Sequence, residues 1–124
     1  HEAEIRHYLD FFGFGNPSGF ALSAGEKKLL DIVRCLLLKP SFLLLDEPTA
    51  GLPDDLTEKV MEVVRDLAAA GTSVVIVEHD LNVIWSLCDE VIFMAEGSVA
   101  LKGDPQSIRE HHTVVEKYLG EGHV

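Results

Sequence analysis

The sequence predicts an α/β fold with a largely parallel sheet, and three observations carry the prediction. Phe42-Leu43-Leu44-Leu45 is an apolar run between Pro40 and Pro48, too short for a buried helix and of the kind found in a strand buried on both faces. Ser73-Val74-Val75-Ile76-Val77 is a second buried strand by the same reasoning. The segment between them carries apolar residues at helical spacing, and strand, helix, strand order with short connections is how parallel sheets are built. In such sheets ligands sit outside the carboxyl ends of the strands, which is where Asp46-Glu47 and Glu78-His79-Asp80 fall.

Taken in order, Ile5, Tyr8, Leu9 and Phe12 mark a short amphipathic helix from Glu2 that Gly13 stops. Gly13 to Gly19 is a loop by composition. Its glycines do not make a phosphate-binding loop, because no Gly-Lys-Ser/Thr ends it and no strand precedes it. A second helix begins near Ala24, where Ser23 and Glu26 form a capping box: the hydroxyl satisfies one orphan N–H and the carboxylate reaches back to another. Standing alone, this is a capped helix and nothing more. Its open N-terminus can nonetheless receive an anion. After the first strand, Leu56, Val60, Val63, Val64 and Leu67 form one face of a helix running to about Ala70, with Gly71 as its stop. Asp80 is the N-cap of a short helix containing Val83, Ile84, Trp85 and Leu87. Val91 to Met94 and Ser98 to Leu101 form a hairpin, Asp104-Pro105 starts a helix, and Val114, Val115, Tyr118 and Leu119 belong to a last one ending at Gly120.

Composition sets limits. Hydrophobic residues make up 47% of the 124, enough for a core. Ten Lys and Arg stand against 21 acids, a formal net charge of -11, which argues against nucleic-acid binding and favours a basic partner surface or a Mg²⁺-bound ligand. Cys35 and Cys88 are expected to be buried free thiols rather than a disulfide. No run approaches the roughly 20 apolar residues of a membrane span. The chain begins at His1, and its first recognisable segment reads as the middle of something, so a fragment is expected.

Three modest signals occur in one order: Leu22-Ser23-Ala24-Gly25-Glu26 opening a helix, Leu43-Leu44-Leu45-Asp46-Glu47-Pro48, and Val75-Ile76-Val77-Glu78-His79-Asp80. Together they resemble the second half of the nucleotide-binding subunit of an ATP-binding cassette (ABC) transporter. The first resembles the family's signature motif, the second its Walker B strand, Thr49-Ala50-Gly51-Leu52 its D-loop, and His79 its switch histidine. The resemblance implies a partial P-loop NTPase fold, with residues 1–38 ending a helical subdomain and residues 39–124 belonging to the ATPase core.

It also implies roles. Asp46 would hold Mg²⁺ through its water shell, Glu47 would be the general base on the attacking water, and His79 would contact the γ-phosphate. Ser23, Ala24, Gly25 and Glu26 would face ATP carried by a second ATPase subunit in a head-to-tail homo- or heterodimer, docked on transmembrane permease subunits at the cytoplasmic face of the membrane. Gly103 to Ile108 and Val114 to Gly120 resemble the tails of subunits that power branched-chain amino-acid importers.

The pattern is not followed everywhere. The family's phosphate-binding loop and its Gln-bearing loop are absent from the sequence, both are expected upstream of His1, and the chain alone is expected not to bind or hydrolyse ATP appreciably. Ala24 stands where the signature motif usually has its first glycine, Glu26 where it usually has glutamine, and Pro53 in the usual Asp/Asn position of the D-loop. Two other readings stay open: a non-transport ABC ATPase, against which the acidic balance counts, and a degenerate, non-hydrolysing regulatory or binding module, motivated by the missing phosphate-binding loop, Ala24 and Pro53.

Overall fold

Helix α1 (Glu2–Phe11), helix α2 (Ala24–Leu37), strand β1 (Phe42–Asp46), helix α3 (Asp54–Ala69) and strand β2 (Ser73–Val77) follow one another in the order expected. They come from a computed structural model that describes residues 1–14 and 22–116. The expected loop from Gly15 to Gly19 lies outside the described residues, as do Tyr118 and Leu119. Two units divide the chain, His1–Glu78 and His79–Val124.

In the first unit, α1 and α3 stop at the C-caps Phe12 and Ala70, each followed by the glycine expected to end it. Strands β1 and β2 are parallel and in register from Phe42 opposite Ser73 to Asp46 opposite Val77. Leu29, Ile32, Val33 and Leu36 of α2, Leu43 and Leu45 of β1, and Val60, Met61, Val63 and Val64 of α3 are buried. Burying each such side chain contributes about 1.5–3 kcal/mol before entropy is subtracted. Pro53 is the N-cap of α3 and makes no side-chain cap bond, so the first turn relies on Asp54 and Asp55, whose charges complement the helix dipole.

Burial on both faces of the strands is corrected by the structure. In β1 only Leu43 and Leu45 are buried, whereas Phe42 and Leu44 are 58% and 62% exposed; in β2, Val75 and Val77 are exposed on the same side. A parallel sheet is covered twice only when helices lie on both faces. Among the described residues this sheet has two strands, and its second face is left open.

The second unit contains α4 (Leu81–Leu87), the antiparallel pair β3 (Val91–Ala95) and β4 (Ser98–Gly103), α5 (Pro105–Glu110) and the three-residue α6 (His112–Val114). The hairpin turns on Glu96 and Gly97, both with positive φ (53° and 79°), the two-residue turn whose twist matches the flanking strands. Phe93 pairs with Leu101 and Met94 with Val99, which makes Ala100 the extra residue of a bulge. Asp104 caps α5 by accepting from the Ser107 N–H at 2.9 Å and the Ser107 hydroxyl at 2.7 Å, with Pro105 at the first helical position. Ile84, Val91, Ile108 and Val114 form the core of this unit, with Trp85, Cys88, Phe93 and Leu101 packed against it.

The cysteines are free, but only Cys88 packs against a core. Cys35 is exposed and Cys88 half-buried. On α2 the buried stripe runs through 29, 32, 33 and 36, and position 35 falls on the flank beside the exposed Asp31 and Arg34. No helix among the described residues is long and apolar enough to cross a membrane.

Candidate functional site

The start of α2 is built by its cap. Ser23 is extended (φ -67°, ψ 167°), its hydroxyl accepts the Glu26 N–H at 3.1 Å, and Glu26 Oε1 accepts the Ser23 N–H at 3.1 Å. The capping box is therefore complete, and the Glu26 carboxylate is engaged at the helix start. Capping uses a lone pair of the Ser23 hydroxyl and leaves its proton to be donated elsewhere. Ser23 and Ala24 are exposed. Gly25 approaches the loop closely: a Cβ there would lie 3.1 Å from Leu52 Cδ2, so that side chain would have to shift by a few tenths of an ångström, and 3.7 Å from the Gly51 carbonyl oxygen.

At the carboxyl end of β1, Asp46 is exposed and Glu47 half-buried. The Glu47 N–H donates to the Val77 carbonyl at 2.7 Å, which carries the sheet bonding one residue past the strand. Glu47 then takes φ 48°, a left-handed conformation uncommon for a residue with a side chain, and the chain turns sharply into the loop before α3. The turn delivers both carboxylates to the sheet's carboxyl edge, as the strand reading expects.

Three side chains hold this loop: Lys28, which the sequence reading did not single out, and Thr49 and Glu78, which it placed in motifs without giving them a task of their own. The Lys28 ammonium donates to the carbonyls of Glu47 (2.9 Å) and Ala50 (3.0 Å). Glu78 Oε1 accepts both the backbone N–H (3.0 Å) and the hydroxyl (2.6 Å) of Thr49, which is buried. For Lys28 a signal did exist: it continues the Ile32 and Leu36 stripe toward the N-terminus, a cation on the buried side of an amphipathic helix. Thr49 and Glu78 gave none, because their partnership spans 29 residues.

The predicted residues thus fall into two places. Ser23 to Glu26, Asp46 and Glu47 lie in the first unit, where Gly25 and Lys28 tie the start of α2 to the loop after β1. His79 opens the second unit and is exposed, ahead of Asp80, whose carboxylate accepts the Asn82 N–H at 3.1 Å and caps α4. No cluster of three metal-ligating side chains occurs among the described residues. A single exposed carboxylate such as Asp46 fits Mg²⁺ that keeps most of its waters and takes its remaining ligands from phosphate.

Comparison with known proteins bears on this geometry. Residues 3–50 match the family model described as ABC transporter. A solved nucleotide-free ATP-binding cassette from an ABC transporter superposes with a TM-score of 0.78 at 27% identity, over 96% of this chain and 50% of that one. The fold is that of about half of an ABC ATPase cassette. A dimeric cassette in a post-hydrolysis state, bound to ADP and phosphate, has the same ABC fold, with a TM-score of 0.72, 27% identity and coverage of 83% of this chain and 46% of that one. Among curated relatives, the high-affinity branched-chain amino acid transport ATP-binding protein BraF of Pseudomonas aeruginosa is 33% identical over 109 residues, 87% of this chain and 43% of its own length. The lipopolysaccharide export system ATP-binding protein LptB of Acidithiobacillus ferridurans is 35% identical over 120 residues, 97% and 50% respectively. The chain spans half or less of the length of these ABC relatives. It resembles ABC ATP-binding subunits, those of branched-chain amino-acid transport among them.

Proposed function

We propose that this protein is the ATP-binding and ATP-hydrolysing subunit of an ABC importer that energises uptake of branched-chain amino acids or a related polar solute. The observation that carries the reading is the pair Asp46-Glu47 at the sheet's carboxyl edge, on a loop packed against the capped start of α2. In the proposed division, residues 1–38 end the helical subdomain and residues 39–124 form the ATPase core.

Each residue has one task. Asp46 would hold Mg²⁺ through bound water, and the ion would supply charge neutralisation at the nucleotide phosphates. Glu47 accepts a proton from the attacking water as its oxygen bonds to the γ-phosphorus and the bond to the ADP oxygen breaks. His79 donates to the γ-phosphate and orders that water. Ser23, Ala24, Gly25 and Glu26 form the helix start that receives ATP held by a second, head-to-tail ATPase subunit, the Ser23 proton and the Ala24 and Gly25 N–H groups being the donors. Hydrolysis then depends on two subunits closing on each other, beneath transmembrane permease subunits at the cytoplasmic face of the membrane.

In the full-length protein, Glu47→Gln is expected to lower ATP turnover by about 100-fold or more, the scale of a lost general base, with ATP-dependent dimerisation retained. Turnover and sedimentation measure the two; unchanged turnover removes Glu47 as the base. The similarity to LptB favours a second reading, an export ATPase. With the permease subunits reconstituted, stimulation of turnover by leucine, isoleucine or valine supports import, and stimulation by lipopolysaccharide supports export.

A further inference from the structure

We infer that Lys28 is a positioning residue for Glu47, acting through the backbone of the loop after β1 and not on the nucleotide; the inference rests on the reading of Glu47 as the general base. Lys28 is half-buried on the second turn of α2, and its ammonium donates to the Glu47 and Ala50 carbonyls at 2.9 and 3.0 Å. It therefore binds both ends of the turn 47–50. The residue it grips is the one with left-handed backbone, φ 48°, a conformation that persists in a side-chain-bearing residue only when its surroundings enforce it.

Within the turn the Ala50 N–H donates to the Glu47 carbonyl at 3.3 Å, and further enforcement comes from two sides. From the sheet, Val77 accepts the Glu47 N–H and Glu78 accepts from Thr49. From the helix, Lys28 holds the carbonyls. Removing the ammonium takes both carbonyls' bonds to α2 away and leaves the Glu47 carbonyl with the weaker Ala50 N–H at 3.3 Å, which loosens the turn and shifts the Glu47 carboxylate relative to the attacking water. Lys28 also lies five residues after Ser23 on one continuous helix, so a load at the start of α2 is passed to the loop that carries the base.

The test uses the full-length protein and compares Lys28→Met, which keeps the stem but has no donor, with Lys28→Arg, which keeps charge and donors. Lys28→Met is expected to lower kcat by about 100-fold, the cost of a displacement near 1 Å at a catalytic group, with KM for ATP changed by less than about threefold. Lys28→Arg recovers most of kcat. In the Glu47→Gln background, Lys28→Met has no further effect on single-turnover hydrolysis, since it acts through a base already removed. A normal kcat in Lys28→Met, an Arg variant no better than Met, or additive losses in the double variant would each overturn the inference. So would a loss expressed in KM alone, which assigns Lys28 to nucleotide binding. Should Lys28→Met not fold, Lys28→Gln, whose amide lies one bond short of the ammonium position, is expected to lower kcat likewise and to cost nothing further in the Glu47→Gln background, and an additive loss there would overturn the inference. If Glu47→Gln alone leaves turnover intact, the proposed function fails; if Glu47→Gln is inactive and Lys28→Met is normal, only the positioning role fails.

Discussion

Burial pushes the Cys88 thiol above its ordinary value of 9.0, and the neighbouring Asp89 carboxylate adds to the shift by opposing a thiolate. Cys35, on the flank of α2, is exposed. Because the thiolate is the reactive form, a maleimide or disulfide reagent near neutral pH is expected to label Cys35 at least about tenfold faster than Cys88, and mass spectrometry of the two peptides measures the ratio. Comparable rates would show that Cys88 is as accessible as Cys35. At this scale the sequence is a partial guide. Asp46, Glu47 and the Ser23 and Glu26 pair were legible because each depends on immediate neighbours or on a strand end. Lys28 and Glu78 were not, because what they do is settled by carbonyls and hydroxyls 19 to 29 residues away.

The helices and strands were more legible still, since caps and periodicities are local. Asp104-Pro105 announces α5, and the structure shows why the pair is effective: both carboxylate oxygens of Asp104 accept from Ser107. Those bonds hold the Asp104 carboxyl below its ordinary value of 3.8. A carboxyl depressed in the folded state contributes stability that is present above its unfolded value and lost as pH falls through the folded value. The start of α5 is therefore expected to weaken as pH drops below about 4. Asp104→Asn keeps an N-cap acceptor but cannot titrate. Chemical denaturation against pH should show a shallower acid limb for the variant, the two curves converging at the acid end; parallel curves would mean that Asp104 takes no part.

For the whole molecule, what the sequence could not disclose was which faces are covered. Phe42 to Leu45 and Ser73 to Val77 have the composition of strands buried on both sides, yet Phe42, Leu44, Val75 and Val77 are exposed together. Composition records what a strand is suited to, whereas burial depends on which other elements are there to meet it. A contiguous apolar face of this kind is expected to bind an environment-sensitive dye such as anilinonaphthalene sulfonate. Fluorescence of the 124-residue chain should fall when Leu44→Lys and Val75→Lys place charges in the middle of that face. An unaltered signal would move the dye site to other exposed apolar residues, Ile92, Met94 and Val99 of the hairpin.

The left-handed backbone at Glu47 has a consequence for how such a chain can drift. Asparagine and glycine tolerate that conformation with less strain than glutamate, by about 1 kcal/mol, and neither can take a proton from water as a carboxylate does. With Glu47 as the base proposed above, stability and turnover pull position 47 in opposite directions. A descendant released from the proposed need to hydrolyse ATP would be drawn toward a tougher, silent form at the residue proposed as the base.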